Sequence, residues 1–271
     1  MKSESDPVNT VEAVERAFSI IRALRELNGA GVTEIANYLG MSKSGTHKQL
    51  ATLVKEGYIT KFRGEYRLGF KFISDGEFVK NSSLFYNVGA PEIDKLAQKC
   101  KDCVYLAAME NDGAYCIYTA EGDNSVAADV KFGQRVSIHS TAAGKAILAE
   151  LPESNRYRAL QSGLEKKTEQ TLTDLDQLES ELATIRERGI AFEDEENVQG
   201  VRGVGSPILS PEDDVLGAVA ISGPKSLLTD DRFEEELPEL IRQTKNFIEV
   251  KFSLNSRDPH QDGSHVPEGF Y

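Results

Sequence analysis

The 271-residue sequence has no apolar run near the roughly 18 residues that a membrane span needs. Its opening stretch, MKSESDPVNT, lacks the apolar core of a signal peptide. Both absences point to a cytoplasmic protein with no membrane partner. Cysteines number three, an odd count that argues against a disulfide framework. No G-x-S-x-G, H-E-x-x-H or Walker-type glycine loop occurs. His139 and Ser140 are neighbours, but adjacent side chains on extended backbone point apart, so they do not make a nucleophile and its base. His260 and His265 fall in an aperiodic tail. No catalytic residue, resident metal or cofactor is therefore expected, and the chain does not read as an enzyme.

Basic residues are also scarce. Lys and Arg total 31 against 44 Asp and Glu, a formal net charge of −13. The imbalance is uneven. Residues 1–80 hold 12 basic and 10 acidic side chains, whereas residues 81–271 hold 19 and 34. Within 41–71 the ratio reverses to 7 against 2. A basic island in an acidic chain is a nucleic-acid footprint at one end. The acidic remainder reads as a solubility adaptation of the kind a salt-loaded cytoplasm favours.

The island carries a recognisable pattern. Val11, Val14, Phe18, Ile21 and Leu24 recur at helical spacing and stop at NGAG. Thr33 is the expected cap of a short second helix with Ile35, Ala36 and Leu39 inward. Ser42 is the expected N-cap of a third helix that runs to about Glu56, with Thr46, Leu50, Leu53 and Val54 inward. Two β-rich runs, 58–62 and 65–68, flank Arg63-Gly64 as a tight hairpin. Three helices and a hairpin make a winged helix-turn-helix. Lys43, Lys48, Lys61, Arg63 and Arg67 are placed to neutralise phosphates, and Ser42, Ser44, Thr46 and His47 are short enough to reach phosphates or base edges. Gly45 inside the third helix is either a close-approach position or a plain surface one.

The segments VEAVERAFSIIRAL, TEIANYLGMSKSGTHKQLATLVKEGYI and YRLGFKF resemble the DNA-binding domain of the IclR family of transcription regulators. IHSTAAGKAILA, IRERGIAFEDEENVQGVRGVGSPI and GAVAISGP resemble that family's effector-binding domain. The match runs over roughly residues 8–252 in the family's order. The resemblance implies a homodimer or homotetramer that binds palindromic operator DNA, controls catabolic genes and responds to a small organic or sugar acid. It also implies that FKFISDGEFVKNSS is a linker helix whose Phe70, Ile73 and Phe78 meet a partner chain.

The expected fold class is α+β: a winged helix-turn-helix over 1–69, a linker helix over 70–88, a GAF-like effector-binding and oligomerisation domain over 89–253, and a disordered tail over 254–271. The C-terminal domain should hold an antiparallel sheet with flanking helices. Its expected elements are a helix from Pro91 to Lys101, a hairpin around Asn111-Asp112-Gly113, a strand over 126–132, helices at 141–150, 153–161 and 174–188, strands at 190–193, 204–209 and 215–222, and a last helix over 230–251. In HSTAAGKAIL a polar turn feeds a helix whose first N–H groups attract an anion. Carried over from the family, Thr141, Ala142, Ala143 and Gly144 present backbone donors, Glu193 accepts from an effector hydroxyl, and Ser222 donates. Gly203 stands where the family often has cysteine, and Ala220 where some members have serine, which leaves the expected wall roomier and less polar.

Two other constellations compete. Cys100 and Cys103, as CKDC, have the spacing of a redox pair or a zinc half-site. If Ala108 pairs with Cys116 in the hairpin, Cys103 faces away from Cys116, which opposes a three-cysteine site. The alternative function is thus a redox- or metal-responsive regulator. The EDEEN run, 193–197, reads as a solvated acidic loop.

Overall fold

The computed structural model describes residues 10–111, 113–125 and 130–256. The chain forms two compact units that part between Lys80 and Asn81.

The first unit holds α1 (Glu12–Glu26), β1 (Ala30–Gly31), α2 (Val32–Tyr38), α3 (Lys43–Lys55), β2 (Ile59–Phe62) and β3 (Glu65–Leu68), and α4 (Lys71–Ser82) begins in it. The three short strands pair antiparallel in the order β1-β3-β2. Their core is Ile20 and Leu24 from α1, Ile35 from α2, Leu50 and Leu53 from α3, and Ile59 and Tyr66 from the hairpin. This is a winged helix-turn-helix. Ser42 caps α3 as expected, its Oγ accepting from the Gly45 N–H at 3.2 Å. Arg63 and Gly64 both have positive φ, 50° and 90°, the geometry of a primed two-residue hairpin turn.

Three local expectations need correction, and one element is new. Gly31, not Thr33, precedes α2, and no side chain caps it. Val54 is exposed rather than inward. The buried face of α1 is Ile20, Ala23 and Leu24, while Val11, Val14 and Phe18 stay exposed. Strand β1, only two residues long, has no sequence signature.

The second unit holds α5 (Leu84–Cys100), β4 (Cys103–Glu110), β5 (Gly113–Ala120), β6 (Arg135–Val136), α6 (Ala142–Glu150), α7 (Glu153–Ala159), α8 (Leu175–Arg188), β7 (Ala191–Asp194), β8 (Val201–Leu209), β9 (Val215–Pro224), a π-helical turn (Arg232–Glu236) and α9 (Leu237–Ser256). The strands form one antiparallel sheet ordered β6-β5-β4-β9-β8-β7. Alternation along each strand splits the core in two. Val104 and Leu106 of β4, Val204 and Ile208 of β8, and Val219 and Ile221 of β9 face α5 and α9. Tyr105 and Ala107 of β4, Ala191 of β7, and Ala218 and Ala220 of β9 face α6 and α8. The second face is lined with small residues, so α6 lies close against it.

The helix expected to begin at Pro91 begins at Leu84, capped by Ser83 through the Tyr86 N–H. Pro91 lies inside it, where a proline removes one helical hydrogen bond. Of the strand expected over 126–132, residues 126–129 lie outside the described residues, 130–132 are not strand, and the edge strand is β6. The last helix continues to Ser256, so the expected tail starts too early; residues 257–271 lie outside the described residues.

Candidate nucleic-acid interface and effector-binding face

In the first unit the N-terminal turns of α3 present Lys43, Ser44, His47 and Lys48 to solvent. Ser42 is exposed, and accepting from Gly45 leaves its hydroxyl able to donate to a phosphate. Thr46 does not belong with them. It is fully buried, and its Oγ1 donates to the Ser42 carbonyl at 3.1 Å, so it reaches neither bases nor phosphates. Gly45 has a third explanation besides the two the sequence left open. A Cβ there would lie 2.9 Å from the Ser42 Oγ, so glycine makes room for the cap.

The wing cations are exposed but do not share one face. Lys61 is opposite Tyr66 in the hairpin register and lies over its ring at 5.1 Å. Arg67 is opposite Thr60 on the other face, with its NH2 3.2 Å from Glu65. Arg63 is at the tip, over the Phe62 ring at 5.1 Å. Five cations thus surround one exposed helix end and one exposed turn, a suitable surface for a polyanion.

In the second unit, Glu193 of β7, Gly203 of β8, Ser222 of β9 and Cys103 of β4 lie in one cross-strand row. Alternation places this row on the α6 side of the sheet, in line with Ala191, Ala220 and Tyr105. The N-terminus of α6 lies over it. Thr141 is the cap: its Oγ1 accepts from the Gly144 N–H at 3.0 Å and donates to the Ser137 carbonyl at 2.7 Å. The Ala142 N–H donates to Glu193 Oε2 at 3.2 Å, and the Asn197 N–H donates to Glu193 Oε1 at 3.3 Å. Ser140 Oγ bonds Asn197 Oδ1 at 3.0 Å, with Ser137 Oγ 2.6 Å away. The structure therefore brings Thr141, Ala142, Gly144, Glu193, Gly203 and Ser222 together, with Ala143 beside them on α6.

Gly203 does not leave the expected open wall. A Cβ there would lie 3.0 Å from Glu193 Oε2 and 3.3 Å from the Ala142 Cβ, so that space is already lined. Gly144 is tighter: its Cβ would lie 2.1 Å from the Ser137 carbonyl oxygen and 2.7 Å from the Ile138 Cα. Both are backbone atoms that cannot rotate away. Gly144→Ala is expected to cost about 3 kcal/mol, the upper end for overpacking, and to lower the melting temperature by roughly 6–12 °C. A thermal melt of the full chain checks it.

Three features escaped the sequence reading. Lys145, on α6, is 1% exposed and ion-paired with Glu196, with Glu181 at 4.0 Å and Arg188 2.7 Å beyond Glu181. A lone lysine amid the apolar run TAAGKAILA is the sequence signal of a buried cation. Burial raises the Glu196 carboxyl above its ordinary range, and Lys145 opposes the shift. Second, EDEEN is not a solvated loop. Asp194 pairs with Arg202 and Lys225, Glu195 with Lys225, and Glu193 and Glu196 are buried. Third, Cys103 belongs to the row above. His139 is buried, with Nε2 3.0 Å from the Glu165 carbonyl, where it orients the turn.

The cysteines do not support a redox or metal sensor. All three are buried. Cys100 packs on the α5 side of the sheet, and burial pushes its thiol up to about 11, far from the thiolate a reactive cysteine needs. The hairpin pairs Ala107, not Ala108, with Cys116, because Glu110 sits directly opposite Gly113 at the turn and the register runs unbroken from there to Ala107. Cys103 and Cys116 therefore share a face, contrary to expectation. They remain about 13 Å apart along the strands, given the rise per residue. Among the described residues no group of three His, Cys, Asp or Glu side chains could hold a metal, and no helix is long and apolar enough to cross a membrane.

A winged helix with a basic face, followed by a sheet-and-helix domain with a polar helix terminus over a sheet, defines a ligand-responsive transcription regulator. The model of the IclR helix-turn-helix domain matches residues 13–61, and that of the bacterial transcriptional regulator IclR C-terminal domain matches residues 79–250. The chain belongs to the IclR family, whose members are transcription regulators and not enzymes. It is 34% identical over 247 residues to the probable HTH-type transcriptional regulator ArcR of Halobacterium salinarum, covering 89% of this chain and 94% of that one. The crystal structure of IclR from Thermotoga maritima matches with a TM-score of 0.73 at 28% identity, over 88% of this chain and 98% of that one. An IclR homologue from Microbacterium hydrocarbonoxydans, complexed with 4-hydroxybenzoate, shares the fold with a TM-score of 0.77 at 19% identity, over 89% of this chain and 99% of that one.

Proposed function

We propose that this regulator binds a palindromic operator as a homodimer or tetramer and controls catabolic genes in response to a small organic or sugar acid. The observation that carries the effector reading is the capped, buried N-terminus of α6 set over the Glu193–Gly203–Ser222 row. The positive end of α6 favours a carboxylate there, and the 4-hydroxybenzoate held by the Microbacterium hydrocarbonoxydans relative is a small acid of that kind. Ser42, Lys43, Ser44, His47 and Lys48 of α3, with Lys61, Arg63 and Arg67 of the wing, form the operator face. Association is supported by apolar side chains that stay exposed on α1 and α4 and on the residue preceding each. Phe70 is 86% exposed, and Val11, Val14, Phe18, Ile73, Phe78 and Val79 are exposed too, a solvent cost that a second copy removes. Two copies then place two wings on two half-sites. An effector that binds one assembly geometry better than another shifts the population competent for DNA.

The test is a gel shift on DNA flanking the gene, with a panel of organic and sugar acids. At least one acid should change the retarded fraction. Ser222→Ala should bind the same DNA as well as wild type but lose most of that response. A response unchanged in Ser222→Ala removes Ser222 from the pocket; no response to any acid removes the effector class.

A further inference from the structure

The α6 terminus is not an empty anion site. Glu193 is 1% exposed, and its two carboxylate oxygens accept from the backbone N–H groups of Ala142 and Asn197. The first is the opening residue of α6; the second belongs to the β7–β8 connection. A buried carboxylate bridging two N–H groups at the positive end of a helix occupies the position that a bound acid's carboxylate would take. The Gly144 N–H of the same turn is held by the Thr141 hydroxyl.

We propose that Glu193 is a resident occupant of this site, an intramolecular carboxylate that an acid effector must displace. Two carboxylates cannot share one buried N–H without strong like-charge repulsion. An arriving acid must therefore send the Glu193 side chain away from Ala142. Glu193 also holds the Asn197 N–H, Asn197 holds Ser140, and the neighbouring Glu196 is ion-paired with Lys145 of α6. Displacement consequently removes the Glu193 link between α6 and the β7–β8 connection and leaves Ser140–Asn197 and Lys145–Glu196 to hold it, which converts occupancy of the site into loosening of a chain segment. Glu193 also sets specificity. A neutral ligand has nothing to offer the Ala142 N–H that Glu193 does not already give, so the site selects acids strong enough to replace it. This inference rests on the acid-effector reading above.

The test is chemical rescue in the full chain, with formate and acetate as probes and chloride at equal ionic strength as reference. Glu193→Ala should melt below wild type in chloride. Formate and acetate should raise its melting temperature by several degrees, while wild type should move by less than a degree. Glu193→Gln keeps one accepting oxygen and should show a smaller rescue. Should Glu193→Ala fail to fold, the Glu193→Gln comparison decides alone. Equal shifts in variant and wild type, or no shift in the variant, overturn resident occupancy. Operator binding by wild type, measured in the same buffers, separates the outcomes. Failed rescue with intact, acid-responsive DNA binding removes only the role of Glu193. Absence of any acid response removes the effector reading beneath it.

Discussion

Lys145→Ala is expected to destabilise the second unit by about 3–5 kcal/mol, because removing one partner of a buried ion pair strands the other. Lys145 Nζ is the cation of the Glu196 carboxylate, pairing with Oε1, while the buried Oε2 has no hydrogen-bond partner among the described residues. For a unit of this size the loss corresponds to roughly 6–20 °C in melting temperature. Its pH dependence has a definite sign. Burial raises the folded-state pKa of Glu196 above its unfolded value, so the folded state holds the proton more tightly and stability falls as pH rises through that interval. Removing Lys145 takes away the main lowering influence and deepens that fall. The variant should therefore lie closest to wild type at acidic pH, where Glu196 is protonated in both states, and furthest below it at neutral pH. The double variant Lys145→Met/Glu196→Leu should recover most of the loss, since a packed apolar pair can replace a buried ionic one at little net cost. Thermal melts of the three proteins at two pH values read all of this. An alanine variant as stable as wild type at pH 7 contradicts the buried pair.

Replacing Lys48 and Arg63 together by alanine should weaken DNA binding about 30-fold per half-site at 0.15 M salt. Counterion release is worth about fivefold per phosphate contact at that concentration, and each lost contact reduces the salt slope by about 0.9. The loss should be nearly equal on operator and unrelated DNA, because phosphate contacts position the protein without reading sequence. Lys48 is on the exposed side of α3 and Arg63 at the hairpin tip, so neither change disturbs the core of the first unit. Unchanged affinity in the double variant contradicts the placement of helix and wing on DNA.

The fold was legible where local chemistry has one reading. Ser42 ahead of an apolar stripe gave the start of α3, and Arg63-Gly64 between β-rich runs gave the hairpin, since Gly64 adopts positive φ without steric cost. It was not legible where two rules compete. Pro91 reads as a first helical residue, yet α5 begins at Leu84 because the stretch from Phe85 to Ile93 buries one face against the sheet. The turn closes with Glu110 opposite Gly113, one residue from the expected register, which puts Cys116 on the face of Cys103, and no single-strand pattern reveals such a one-residue difference. At the candidate site the residue types were visible, but their pairing was not. Glu193 and Glu196 look like part of an acid run until the chain folds them onto Ala142 and Lys145, 51 residues earlier in each case. Thr46 shows the opposite error, a hydroxyl that fits a DNA contact by type and an interior position by spacing; the core claims it.

The most direct test of the central claim is a fluorescence-anisotropy titration of the purified chain against the DNA upstream of its own gene, across a series of salt concentrations. Saturable binding is expected, tighter for one segment with two-fold symmetry than for scrambled DNA, with log K falling linearly against log salt. Binding that is absent, or that neither prefers a segment nor weakens with salt, would contradict an operator-binding regulator.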